Sequence, residues 1–303
     1  MSNTLRTMLL LPGLSLFLLA CAKPVSEERI PNPLRAQETP LVLAHRGGAL
    51  IRPENTMPAF EHALELGAHG LELDIHKSMD GELVVIHDFT VERTTQGIGK
   101  VEEMDLAELK MLDAGHYFSP HDRPQEHPYR GMGIEIPTLR QVLQRFPDTL
   151  LCIEIKPNKP EIAEHLASML QEHDRVQNTI VSSFHHKVLK RMREILPQVA
   201  TGASKKEVRR VYFLHRLYLY WLYTPKAEVL QVPEKVGSIQ LARPGLIRQA
   251  QDKGQLAQVW TVNQASNMRK YLDLDVHGII TDRPDLLLQI LREEREKKAP
   301  GEP

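Results

Sequence analysis

Between residues 41 and 297, short apolar runs alternate with helical patterns, and this alternation narrows the fold more than any other property of the chain. The runs are LVLAH (41–45), LELDIH (71–76), LVVIHD (83–88), LLCIEIK (150–156), TIVSSF (179–184), VATGA (199–203), VLQV (229–232), QVWTVN (258–263) and GIITD (278–282). Helical patterns lie between most of them, at 56–67, 104–112, 138–145, 160–173, 186–195, 207–222, 244–253, 265–272 and 284–297. Strand–helix repetition of this kind specifies a parallel sheet, and about eight units in roughly 250 residues predict an α/β protein with a closed (β/α)₈ TIM barrel. The runs outnumber the staves of such a barrel by one. VATGA and VLQV are the weakest, and one of them is expected to be surplus.

Two places break the rhythm. Only KSMDGE separates LELDIH from LVVIHD. That is too short for a parallel crossover, and Asp80-Gly81 is a hairpin signal. The return strand should bring His87 beside Glu72 and Asp74. The other break, residues 89–137, reads as a small insertion after the third strand, carried by a barrel over 41–295.

Successive side chains point to opposite faces of a strand. Glu72, Asp74 and His76 therefore share one face of their run, while Leu71, Leu73 and Ile75 share the other. Cys152, Glu154 and Lys156 form a second such set, His45 falls with Leu43, and His87 lies opposite Val84 and Ile86. One strand of this kind would suit an antiparallel sheet with a wet face. Four, separated by helices that cover the outer face, place ionisable groups at the mouth of a barrel, where active sites sit. Three carboxylates gathered there repel one another unless a cation neutralises them. An all-oxygen set suits one divalent cation, Mg²⁺ or Ca²⁺, better than zinc. His45 and His87 titrate in the range useful for acid–base work. Arg46 and Lys156 add fixed positive charge, and the whole describes a site for a phosphate ester.

The chain resembles the glycerophosphodiester phosphodiesterase family, which is similar in barrel and site to phosphatidylinositol phospholipases. The resemblance rests on His45-Arg46-Gly47, Pro53-Glu54-Asn55-Thr56, Glu72-Leu73-Asp74, Asp80-Gly81, His87-Asp88, Arg93-Thr94-Thr95, Glu154-Ile155-Lys156, Trp260-Thr261-Val262-Asn263 and Gly278-Ile279-Ile280-Thr281-Asp282, in the family's order. It implies that Glu72, Asp74 and Glu154 hold the metal, that His45 and His87 are the general base and acid, and that Arg46 and Lys156 grip the phosphate. It also implies attack by the substrate's own glycerol hydroxyl. The resulting cyclic phosphate is opened by water, giving sn-glycerol 3-phosphate and an alcohol. Glu54 and Asn55 are expected behind the ligands, ordering the loop and Arg46. A polar turn in which Asn55 or Thr56 caps the next helix stands as the alternative. Trp260 is expected to flank the glycerol or to pack in the core, and Asp282 to cap the last helix rather than touch substrate. Gly47 and Gly48 are expected to let the backbone approach the ligand.

The N-terminus reads as a leader. MSNTLRTM carries one Arg and no acid, and LLLPGLSLFLLA is a short apolar run ending at Cys21. Residues 1–20 are expected to be a signal peptide whose Leu18-Leu19-Ala20-Cys21 resembles a lipobox, with Cys21 lipidated and the chain exported and held on a bacterial membrane. Residues 21–40, rich in proline, are expected to be the linker, and 296–303 a flexible tail. Cys152, the other cysteine, then has no partner and reads as a small core residue.

With Lys+Arg 38 against Asp+Glu 39, nothing suggests nucleic acid as a partner. The expected partners are a small glycerophosphodiester or a lysophospholipid, and the membrane. One segment departs from an ordinary barrel helix: KKEVRRVYFLHRLYLYWLY, 205–223, holds four of the seven tyrosines and one of the two tryptophans. It reads either as an interfacial element that rests on lipid and guides acyl chains, as in a lysophospholipase D-like enzyme, or as a barrel helix with a buried rim. A non-catalytic surface binding lipoprotein is the reading from another class. It is disfavoured because every matched ionisable position keeps the family's residue type.

Overall fold

The computed structural model describes residues 40–298. The leader, Cys21, almost all of the linker and the last residues of the tail lie outside the described residues. Among the described residues eleven strands run in chain order: β1 (Leu41–His45), β2 (Gly70–Lys77), β3 (Leu83–Val85), β4 (Leu150–Ile155), β5 (Thr179–Ser182), β6 (Ala200–Thr201), β7 (Val229–Pro233), β8 (Lys235–Val236), β9 (Ile239–Gln240), β10 (Leu256–Trp260) and β11 (Gly278–Thr281). Eight of them form a parallel sheet in the order β6-β5-β4-β2-β1-β11-β10-β7. A parallel bridge from Gly202 to Val229 brings its two ends together, so the sheet is a nearly closed (β/α)₈ barrel.

The surplus run is 83–88, not VATGA or VLQV. β3 pairs antiparallel with β2, Ile75 opposite Val85, and stands off the ring. The Ser78–Gly81 turn enforces this: Gly81 has φ +102° and donates its N–H to the Ser78 carbonyl. VATGA contributes the short β6, and VLQV becomes β7, paired along its length with β10. A small β8–β9 hairpin that the sequence pattern did not reveal follows β7.

Alternation sets the core. Leu41 and Leu43 of β1, Leu150 and Cys152 of β4, Ile180 and Val229 pack inside the barrel. Val42, Ala44, Leu71, Leu73, Ile75, Ile153 and Ile155 pack outward against the amphipathic helices. Two inner rows are apolar where the strand enters and ionisable where it leaves: Leu41, Leu43, His45 on β1, and Leu150, Cys152, Glu154 on β4. The packed floor and the reactive mouth are therefore written on the same strand faces. Residues between β3 and the helix Leu139–Arg145 form loops, a 3₁₀ turn at Val101–Glu103 and a short helix at Leu106–Lys110. They have a satellite core of Ile86, Val91, Val101, Leu109 and Ile136.

The aromatic segment is not one helix over 207–222. A helix runs from Lys205 to Arg216, its start fixed by a capping box between Ser204 and Glu207. Tyr218 then takes φ +57°, which an α-helix cannot continue through, and a separate 3₁₀ turn covers Tyr220–Leu222.

Candidate active site

Strand register assembles the site. β1 and β2 pair with His45 beside Glu72, and β2 and β4 pair with Asp74 beside Glu154. His45, Arg46, Glu72, His87, Glu154, Lys156 and Trp260 line one cavity of about 120 Å³ at the barrel mouth. Asp74 lies fully buried beneath, and it offers one ligand atom to a set with Glu72 and Glu154 in which all such atoms lie within 4.8 Å of one another.

The three carboxylates fit a hard cation. Glu154 Oε1 is buried without a hydrogen-bond partner, and Asp74 Oδ1 has only the Lys156 ammonium, at 2.9 Å. Lys156 also reaches Glu154 at 3.0 Å. Burial, and then repulsion from Asp74, push the Glu72 carboxyl upward. Burial acts the same way on Asp74, but Lys156 and Arg46 outweigh it and hold Asp74 below the usual carboxylate range. Burial likewise pushes the Glu154 carboxyl upward, so two members of the cluster hold their protons more tightly because too little positive charge is at hand.

Each candidate catalytic histidine is held by its own aspartate. His45 Nδ1 bonds Asp282 Oδ1 at 2.6 Å, and His87 Nδ1 bonds Asp88 Oδ1 at 2.5 Å. Engaging Nδ1 leaves Nε2 of each ring to face the cavity, that of His45 standing 3.8 Å from Glu72 Oε2. Burial disfavours charge on His45, but Glu72 and the Asp282 hydrogen bond outweigh it and raise its pKa. Burial dominates at His87 and lowers its pKa, with Arg46 and Lys156 adding to the fall. The two environments push the pair apart, as acid–base work requires. The rise at His45 owes most to Glu72, the carboxylate a cation would neutralise, so the order of the pair depends on what the cluster holds.

Asp282 is a correction. Instead of capping the last helix, its carboxylate accepts from Asn263 Nδ2 at 2.6 Å and bonds His45. The pairing of β1 with β11, Ala44 beside Thr281, brings His45 and Asp282 together. His76, on the face with Glu72 and Asp74, bonds the His87 carbonyl through Nε2 at 3.1 Å. Burial drives its pKa down to about 4, so it is a neutral prop for the His87 backbone.

The loop after β1 serves the site from behind. Arg46 has φ +51°, and in that conformation its N–H donates to Glu72 Oε2 at 3.0 Å. Its guanidinium reaches Glu54 at 2.9 Å and Asp74 at 3.3 Å. Glu54 is gripped from the other side by Arg93, whose remaining donor goes to Asp88. Asn55 donates to Asp74 Oδ2 at 2.9 Å, while Thr56 caps the helix Met57–Leu66. The cap therefore falls to Thr56, while Glu54 and Asn55 bond Arg46 and Asp74. Gly47 and Gly48 do not line the cavity. A Cβ on Gly47 would meet Ala59 at 2.8 Å, and one on Gly48 would meet Ile51 at 3.1 Å. They make room for packing, not for ligand.

Phe184, Ser182 and Gln231, which no sequence motif marks, also line the cavity. Phe184 stands 5.8 Å from Trp260, ring to ring. Trp260 is half-buried on the inner core and faces both this cavity and a second, largely apolar groove of about 940 Å³. That groove shares His87, Lys156, Phe184 and Gln231 with the cavity, then runs out past Phe89, Val208, Val236 and Leu241. Cys152 sits at the cavity floor, its thiol pushed up to about 12 by burial and so inert.

A model of the glycerophosphoryl diester phosphodiesterase family matches residues 45–286. A glycerophosphodiester phosphodiesterase of Caldanaerobacter subterraneus subsp. tengcongensis is 35% identical over 259 residues, covering 83% of this chain and 98% of that protein. A lysophospholipase D of Mus musculus is 28% identical over 310 residues, 91% of this chain and 90% of that one. The structure of an Oleispira antarctica phosphodiesterase in complex with the product sn-glycerol-3-phosphate matches with a TM-score of 0.67 at 25% identity, over 84% of this chain and 97% of that chain. Agreement over this extent, in sequence and in barrel, means that the chain belongs to the glycerophosphoryl diester phosphodiesterase family and is a phosphodiesterase.

Proposed function

We propose that the protein hydrolyses glycerophosphodiesters to sn-glycerol 3-phosphate and an alcohol in a metal-dependent reaction. The observation that carries this reading is the convergence of Glu72, Asp74 and Glu154 beside two histidines, each fixed by an aspartate. The carboxylates would hold one divalent cation, Mg²⁺ or Ca²⁺, which when bound supplies Lewis-acid polarisation of a phosphoryl oxygen. Arg46 and Lys156 offer positive charge to the anionic diester from the cavity wall. His45 and His87 are the proton-transferring pair: one takes the proton of the attacking glycerol hydroxyl, the other delivers one to the leaving oxygen. Attack by that hydroxyl gives a cyclic phosphate, and the same pair then serves the water that opens it. Trp260 and Phe184 supply apolar walls for the glycerol carbons.

A second reading concerns the alcohol. The apolar groove beyond the cavity is far larger than a choline or ethanolamine needs, and it favours an acyl-bearing substrate such as a lysophospholipid. Export and lipid anchoring through Cys21 remain a proposal from the N-terminal sequence.

The test supplies glycerophosphocholine and lysophosphatidylcholine separately, with Mg²⁺ or Ca²⁺, and assays glycerol 3-phosphate and free choline. Glycerol 3-phosphate from the first supports the main reading. Choline released only from the second moves the assignment to the lipid-directed enzyme. Silence on both, with folded protein, would support a binding lipoprotein.

A further inference from the structure

The helix Lys205–Arg216 has an outward face that the catalytic reading does not use. Lys206, Arg209, Arg210, Phe213, Arg216 and Leu217 recur at helical spacing and are exposed. Tyr218, Leu219, Trp221 and Leu222 continue that exposed surface beyond the helix end, Phe213 being 61% and Tyr218 89% exposed. Glu207 is the one acid between 205 and 223. It is engaged by Arg193 at 2.7 Å and by Ser204. Arg209, Arg210 and Arg216 enter no salt bridge among the described residues. The exposed residues of this segment are therefore basic and aromatic, and its single acid is paired with Arg193.

We propose that this face docks on an anionic lipid bilayer. Arginines set among Phe, Tyr, Trp and Leu suit the boundary between anionic headgroups and acyl chains. The same surface is ill suited to a second copy, because a two-fold contact would press arginines against arginines. Continuity supports the lipid as occupant. Lys205, Val208 and Arg209 also border the groove that opens from the catalytic cavity, as do Lys235 and Val236 of the β8–β9 hairpin. A bilayer lying against the helix thus meets the groove's outer end. The docking does not rest on the catalytic reading, and it can be measured without turnover.

The two tryptophans make the measurement direct, since Trp221 lies on the surface and Trp260 in the site. The full chain is mixed with vesicles of phosphatidylcholine and dibrominated phosphatidylglycerol, or of dibrominated phosphatidylcholine alone. The Trp221 signal is read as wild type minus Trp221→Phe. Anionic brominated vesicles should quench that signal by at least about twofold, and salt at molar strength should relieve the quenching. Arg210→Glu with Arg216→Glu should remove it while hydrolysis of a soluble glycerophosphodiester is retained. That double variant keeps both tryptophans, so the test stands even if Trp221→Phe folds poorly. Trp221 emission unmoved by anionic vesicles that carry the chain would overturn the proposal. So would concentration-dependent self-association that shields Trp221 without lipid.

Discussion

Asp282 Oδ1 lies 2.6 Å from His45 Nδ1, so a residue of the last barrel strand's end holds a histidine of the first. The carboxylate fixes the ring, and in the proposed mechanism Nε2 is the nitrogen that transfers the proton. Asp282→Asn should therefore lower kcat by roughly 10²- to 10⁴-fold, the range for losing or misorienting a general acid–base group. KM for glycerophosphocholine and the circular dichroism of the fold should change little. A kcat near the wild-type value would remove Asp282 from the machinery.

Removing metal should silence the enzyme. The carboxylate cluster holds more negative charge than Lys156 and Arg46 neutralise, so a divalent ion should also stabilise the fold. Adding Mg²⁺ or Ca²⁺ at about a hundred times Kd should contribute about 2.7 kcal/mol and raise Tm. Glu154→Gln should raise the metal concentration for half-maximal activity by at least about tenfold. Full activity in excess chelator, with metal analysis negative, would end the metal assignment.

The groove can be tested separately from the cavity. Val236 lies on its outer wall and is exposed at 57%. Val236→Asp should lower turnover of lysophosphatidylcholine by about tenfold, the effect of roughly 1.4 kcal/mol of lost apolar contact and unfavourable charge. Glycerophosphocholine turnover should be unchanged. Equal loss on both substrates would deny the groove a role in acyl binding.

Much of the site was legible because it is local to single strands. Alternation alone put Glu72 with Asp74, Glu154 with Lys156, and His45 on the inner face of β1. The short KSMDGE connection correctly returned His87 to the same mouth. What escaped was set by contacts across the closed ring or by three-dimensional packing. Asp282 becomes a neighbour of His45 only when β11 closes on β1. The Glu54–Arg93 pair joins residues of two loops 39 apart in sequence. Gly47 answers to the methyl of Ala59, a helix contact that no local pattern announces. VATGA looked weak as a strand because its small residues supply little packing, yet the ring needs only Ala200 and Thr201 there to continue from β5.

The Arg193–Glu207 pair, partly buried, ties two barrel helices together while Glu207 also caps its own helix. Burial favours the neutral form of Glu207, but Arg193 and Ser204 outweigh it and depress its pKa. A depressed carboxylate contributes stability above its unfolded pKa of about 4.3, and that contribution is lost as pH falls through the lower folded value. Glu207→Gln should cost about 1–3 kcal/mol at neutral pH. The gap to wild type, read by urea denaturation, should close below about pH 4. A gap independent of pH would mean that the charge is not what matters.

The most direct test of the central claim compares wild type, His45→Ala and His87→Ala on glycerophosphocholine with saturating Mg²⁺ or Ca²⁺, following release of sn-glycerol 3-phosphate. Wild type should release glycerol 3-phosphate and choline in equal amounts. Each variant should lose at least about 10²-fold in kcat, with folding and metal binding retained. Wild-type turnover in either variant, or no glycerol 3-phosphate from the folded, metal-loaded wild type, would contradict it.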